Sequence, residues 1–175
     1  MLLNIFTKYD HKKYSVNVIS LISNGPLKND IEKEGVNVYE ANLKPDRLNI
    51  IALLKLIFYI RKNKPDIIQT WLYHSNIIGG IAGKLCGVKK VIWSIHAGNL
   101  DNEALKFTTQ LIIKAGALVS SIIPDNIVYV SKSSVSLHKL KGFKCKENTI
   151  IPNGVDLDKF RPDKLARINI RKQLK

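Results

Sequence analysis

The order of apolar and turn-forming residues predicts an α/β fold with an open parallel sheet and helices on both faces. Two observations lead there. Short β-branched runs alternate along the chain with longer helical patterns, as consecutive βαβ units require. The strand runs are also continuously apolar, as expected when a strand is covered on both sides. The chain has 175 residues, 45% hydrophobic and 24% charged, which is globular composition and room for one domain with a real core.

The elements follow in order. Leu2 to Tyr9 reads as a helix, and Val16 to Leu21 as a strand. Asn24-Gly25-Pro26 is a turn, with Pro26 suited to open the helix Leu27 to Glu34. Gly35 ends that helix, and Val36 to Tyr39 is the second strand. Asp46 caps a helix from Arg47 to Asn63, whose Ile50, Leu53, Leu54, Ile57 and Ile60 follow the helical period. Pro65 forces its predecessor out of the helix, and Ile67 to Trp71 is the third strand. Ser75 to Cys86 is a helix whose Gly79, Gly80 and Gly83 would let it lie close to a sheet; Gly87 closes it. Lys90 to Ile95 is the fourth strand. A helix from Asn102 to Ile123 stops at Pro124, and Ile127 to Val130 is the fifth strand. Ser131 caps a short helix ending at Gly142, and Thr149 to Ile151 is the sixth strand.

Composition narrows the function. Cys86 and Cys145 form no C-x-x-C pair, and no His/Cys cluster has metal-ligand spacing, which argues against a disulfide framework or structural zinc. Neither a secretory signal nor a run long enough to span a bilayer is recognisable, which points to the cytoplasm. Nucleophile-elbow, zinc-protease, Walker and dinucleotide motifs do not occur; the Gly79-Gly80-x-x-Gly83 glycines fall inside a helical pattern. The 28 Lys+Arg against 14 Asp+Glu leave a net charge of +14, which favours an anionic neighbour.

In open parallel sheets ligands bind beyond the carboxyl ends of the strands. Four polar stations fall on that edge: His74 after strand three, His96 after strand four, Ser131 after strand five, and Asn153-Gly154 after strand six. Each alone has an ordinary reading: a loop histidine, a helix cap, a turn. Their shared edge makes them candidates for binding.

The run Ile151-Pro152-Asn153-Gly154-Val155-Asp156, with Phe160 and Pro162, resembles the junction after the N-terminal domain of family 4 retaining glycosyltransferases, which have the GT-B fold. Lys64-Pro65-Asp66-Ile67-Ile68-Gln69-Thr70-Trp71, His74-Ser75-Asn76 with Gly79 and Gly83, Ser94-Ile95-His96, Pro124-Asp125 through Ser131, and His138 with Gly142-Phe143 resemble family segments in the family's order. The resemblance implies half of a two-domain, Rossmann-like architecture: residues 1–156 as a partial N-terminal, acceptor-side domain lacking its first strand and glycine-rich loop, and residues 157–175 as a linker into a donor-binding domain. It implies transfer from a nucleotide-sugar with retention of configuration, without a metal or other cofactor, in cell-surface polysaccharide or glycolipid synthesis. It makes His96 the active-site histidine, His74 a structural or acceptor-side residue, and Asn153 and Gly154 a loop whose amides approach a phosphate; Ser131 joins them as a substrate-binding candidate. The chain alone is expected to be inactive.

The helix Arg47 to Asn63 is apolar almost all round, with Lys55, Arg61, Lys62 and Lys64 at its edge. It reads as a core helix with a basic end, or as a surface helix meeting anionic lipid at the inner face of the plasma membrane. The tail from Lys159 to Lys175 has seven basic residues and one acid, the balance of a solvated linker. Two rival classes stay open. One is a non-catalytic partner of a separate donor-binding domain. The other, a nucleic-acid-binding domain, rests on charge alone and is disfavoured by scattered basic residues and only 7% aromatics.

Overall fold

A computed structural model describes residues 2–43, 50–98, 100, 106–155, 157 and 160–174. Helix α1 (Leu2–Phe6), strand β1 (Asn17–Ser20), α2 (Lys28–Lys33) and β2 (Asn37–Glu40) come first. Then follow α3 (Ile50–Asn63), β3 (Ile67–Trp71), α4 (Tyr73–Leu85), β4 (Lys90–Ile95) and α5 (Phe107–Val119). The chain continues through β5 (Asn126–Tyr129), α6 (Lys132–Leu140), β6 (Glu147–Ile150) and α7 (Lys164–Gln173). The expected strands and helices are present, and every strand pair is parallel. The expected cap Asp46 and the starts at Arg47 and Asn102 lie outside the described residues.

The strands form two ladders rather than one sheet. One joins β1 to β2, and the other runs β3-β4-β5-β6. Helices nevertheless cover both faces of the β1-β2 ladder. Val18 and Val38 pack with Phe6 of α1 and Ile31 of α2. Ile19 points the other way, onto Leu56 and Ile60 of α3, Ala82 of α4 and Ile68 of β3, so this second cluster bridges the two ladders. The largest cluster lies on the four-stranded sheet, where Val91, Trp93, Ile95, Ile127 and Tyr129 meet Ile113 of α5, Ile123 and Phe143. Burying an aliphatic or aromatic side chain of this size contributes about 1.5–3 kcal/mol.

Three glycines bring α4 onto this sheet. A methyl group on Gly80 would stand 2.6 Å from Ile123 Cγ2 and 2.8 Å from Trp93 Nε1, and one on Gly79 would stand 2.9 Å from Thr70 Cγ2. At Gly83 it would meet Ile68 and Val91 at 3.2 Å. Helix ends follow local chemistry. Gly87 and Gly142 take φ of +71° and +92°, a left-handed turn that other residues resist. Lys64, ahead of Pro65, leaves α3 at φ +45°.

The amino-terminal edge of the sheet is pinned by Asp125. Its carboxylate accepts from Val91 N at 2.7 Å and from Lys84 Nζ at 3.0 Å. Burial pushes this carboxyl up, but the Val91 N–H and the Lys84 charge more than offset it, leaving it below the usual range.

Two expectations need correction. Helix α5 ends at Val119, short of Ile123. The Ser120 hydroxyl donates to Ala117 O at 2.7 Å and accepts from Lys144 N at 2.8 Å, which draws the chain out of the helix. Nor are the strands buried on both faces throughout. Every residue of β6 is exposed, because β6 is an edge strand of polar sequence. The sheet face bearing Ile67, Gln69 and Asn126 is only partly covered, and polar side chains pair across it: Gln69 Nε2 donates to Ser94 Oγ at 2.7 Å, and Asn126 Nδ2 to Thr149 Oγ1 at 3.0 Å.

Candidate functional site

Because β3 to β6 are parallel, their carboxyl ends share one edge. His96 is the first residue past β4, and Asn153 lies three residues past β6. Trp71 ends β3 opposite Ser94. Side chains alternate along a strand, so His96, two residues beyond Ser94, emerges on the same face as Trp71. The imidazole stacks on the indole with ring centroids 4.7 Å apart and planes 8° from parallel. The Asn153 side chain hydrogen-bonds the imidazole.

Half-burial pushes the His96 pKa down; the bond from Asn153 opposes this, and the net direction is below the ordinary imidazole value. At neutral pH the ring is therefore uncharged, with one nitrogen to donate and one to accept. The Ser134 hydroxyl donates to Ala97 O at 2.9 Å and ties the segment after His96 to α6. The next turn is held as well: Leu72, after Trp71, has φ +73°, and the buried Asn76 amide bonds the Thr70 hydroxyl at 2.7 Å in either orientation. A non-glycine residue in this region costs on the order of 1–3 kcal/mol, so the surroundings hold the bend rather than its own preference.

The other candidates are placed as follows. His74 is exposed in the first turn of α4, which begins at Tyr73 rather than Ser75, so His74 is helical rather than part of a loop. Ser131 caps α6, accepting from Ser134 N at 3.1 Å, and its hydroxyl also bonds Ser133. Gly154 is exposed beside Asn153, with open space where a side chain would project. Thus His96 and Asn153 are in contact, Ser131 serves the helix next to the His96 segment, and His74 faces solvent. Among the described residues no three His, Cys, Asp or Glu side chains come together as a metal site.

A family model for Glycosyltransferase Family 4 matches residues 2–159. The chain belongs to glycosyltransferase family 4. A relative from Escherichia coli, UDP-Gal:alpha-D-GlcNAc-diphosphoundecaprenol alpha-1,3-galactosyltransferase, is 26% identical over 166 residues, covering 90% of this chain and 41% of that protein. Among solved structures, Anabaena HepE in complex with UDP and glucose superposes with a TM-score of 0.72 at 17% identity, covering 99% of this chain and 46% of that one. The chain thus spans less than half the length of either protein.

Two features of this family 4 chain escape a reading of its sequence. Trp71 is visible as a strand residue, but its partnership with His96 depends on the register between β3 and β4; the signal was their shared strand-end position. His138 is fully buried and bonds Tyr73 Oη at 2.7 Å and Ser134 O at 2.8 Å. Burial pushes Tyr73 up to about 12, so the phenol keeps its proton and donates to Nε2, while Nδ1–H donates to the Ser134 carbonyl. His138 thereby joins the start of α4 to α6.

Proposed function

We propose that this chain is the acceptor-side wall of a retaining glycosyltransferase that moves a hexose from a nucleoside-diphosphate sugar to a lipid-linked sugar diphosphate, in cell-surface polysaccharide or glycolipid synthesis. The observation that carries the reading is His96, stacked on Trp71 and bonded to Asn153, at the carboxyl edge of a family 4 sheet. The donor and lipid acceptor named for the E. coli relative, and the UDP and glucose held by HepE, support the substrate classes.

In such a transfer the acceptor hydroxyl oxygen bonds the anomeric carbon, the bond from that carbon to the diphosphate breaks, and the hydroxyl proton leaves with the diphosphate. His96 supplies a neutral donor and acceptor pair that orients a sugar hydroxyl. Trp71 fixes the ring plane, and Asn153 fixes its rotation. Asn153 and Gly154 form an exposed loop at this edge. His74 and Ser131 are peripheral on this reading, Ser131 acting by capping α6.

Reaction needs both substrates held in line, and that positioning supplies most of the acceleration. One wall binds but does not turn over. Calorimetry with a soluble N-acetylglucosamine diphosphate ester tests the reading. Weak binding is expected, lost in His96→Ala and reduced several-fold in Trp71→Ala. Equal binding by His96→Ala would overturn it.

A further inference from the structure

Helix α6 holds both of the strand ends that carry the ring pair. On one side, the buried Ser134 hydroxyl donates to the carbonyl of Ala97, the residue after His96, at 2.9 Å. On the other, the Tyr73 hydroxyl bonds His138 Nε2 at 2.7 Å, and Tyr73 stands two residues past Trp71. Ser134 and His138 are one helical turn apart, and the His138 ring reaches back to the Ser134 carbonyl through Nδ1 at 2.8 Å. The two holds are therefore parts of one connected unit. His138 is wholly buried, with the rings of Phe143, Tyr129 and Tyr73 around it at centroid distances of 5.1, 5.5 and 5.9 Å. A leucine would fill such a place without burying polar atoms; what an imidazole adds is direction at both nitrogens.

The strand ends need such a hold. His96 lies past Ile95, the last residue of β4 paired with β5. Leu72, between Trp71 and Tyr73, takes φ +73° with its own side chain 72% exposed, so packing of that side chain does not keep the bend. The groups that keep it are the Tyr73 hydroxyl on His138 and the buried Asn76 amide on the Thr70 hydroxyl. We infer that Tyr73, His138 and Ser134 are positioning residues of the sugar site: through α6 they set the spacing and tilt of the Trp71–His96 ring pair. They act through the pair rather than on the sugar. Ring planes 8° from parallel at 4.7 Å lose their face-to-face contact when either ring turns, and a binding constellation works only when held to within about 0.5 Å. The inference rests on the proposed function in taking this pair as the surface that orients the sugar, but the brace itself is read from the rings without any ligand.

Nuclear Overhauser contacts between the His96 ring and the Trp71 indole, measured on the whole chain without ligand, decide it. Tyr73→Phe and Ser134→Ala each remove one oxygen and keep the packing, and unchanged circular dichroism shows that they fold. Both are expected to weaken the ring contact clearly. Val36→Ala, in the buried cluster beside the β1-β2 ladder, is the control: it lowers the urea midpoint and is expected to leave the ring contact as it was. Calorimetry with the soluble N-acetylglucosamine diphosphate ester is expected to show affinity about tenfold weaker in each single variant. The double variant is expected to lose little more than the worse single one, because either cut frees the same brace. An unchanged His96–Trp71 contact in both single variants overturns the inference. So does an equal loss of that contact in Val36→Ala, which would make it a mark of general stability. Affinity losses that add up in the double variant also overturn it, since two independent injuries would then replace one brace. A wild-type chain that ignores the ester defeats the sugar reading, while the ring contacts still decide the brace.

Discussion

The proton balance of His138 sets a measurable property of the whole fold. With Nδ1–H donating to Ser134 and Nε2 accepting from Tyr73, the buried ring has no place for a second proton. Burial is the larger influence and drives its pKa down, against the carbonyl bond from Ser134. The unfolded chain, with an ordinary value of about 6.5, therefore binds more protons than the folded one in this window. Stability is complete above that value and declines as pH falls through it toward the folded value. Urea midpoints are expected to drop between neutral pH and mildly acidic pH. The slope becomes shallower in His138→Gln, whose stability at neutral pH is lower by about 1–3 kcal/mol from the lost buried bonds. An unchanged slope would contradict this. His96 contributes a slope of the same sign, because burial also lowers it. Asp125 acts at lower pH: its depressed carboxyl stabilises above the unfolded value and loses that contribution as pH falls through the folded one.

At the scale of elements, the fit of α4 on the sheet is the most demanding contact. Gly80→Ala would push a methyl group against Ile123 and the Trp93 ring, both in the core. Overpacking of this kind costs about 1–3 kcal/mol, read as a lower urea midpoint with an unchanged slope. Gly98, with open space where a Cβ would stand, accepts alanine with little change on steric grounds. The close approach of α4 was legible, because three small residues within one helical pattern have few other uses. So were β3 and β4, whose bounds match the apolar runs Ile67 to Trp71 and Lys90 to Ile95. What stayed hidden depends on relations across the chain. The division into two ladders is a matter of which strand edges meet, and the pairing of Trp71 with His96 is a matter of register. The end of α5 turned on a bond from Lys144, twenty-four residues away from Ser120. The outward face of α3 was ambiguous in sequence because apolar residues fall on both sides of the helix; only packing shows which side the core takes.

Across the whole molecule, the described core gathers the carboxyl ends of β3 to β6 on one edge, and α7 stands fully exposed, capped by Asp163 through Leu165 N at 2.9 Å and Ala166 N at 3.0 Å. No described helix is long and apolar enough to cross a membrane. The purified chain is expected to transfer no sugar from labelled UDP-galactose or UDP-glucose to a lipid-linked acceptor above the rate without protein. Turnover would show that one wall suffices. The edge bearing His96 is expected to recognise a sugar. Long-range proton–nitrogen spectra resolve the imidazoles of all four histidines, so a titration with the soluble acceptor head group reads the site directly. His96 is expected to shift together with the Trp71 indole while buried His138 stays in place. An unmoved His96 through the millimolar range, or shifts confined to His11 or His74, would contradict it.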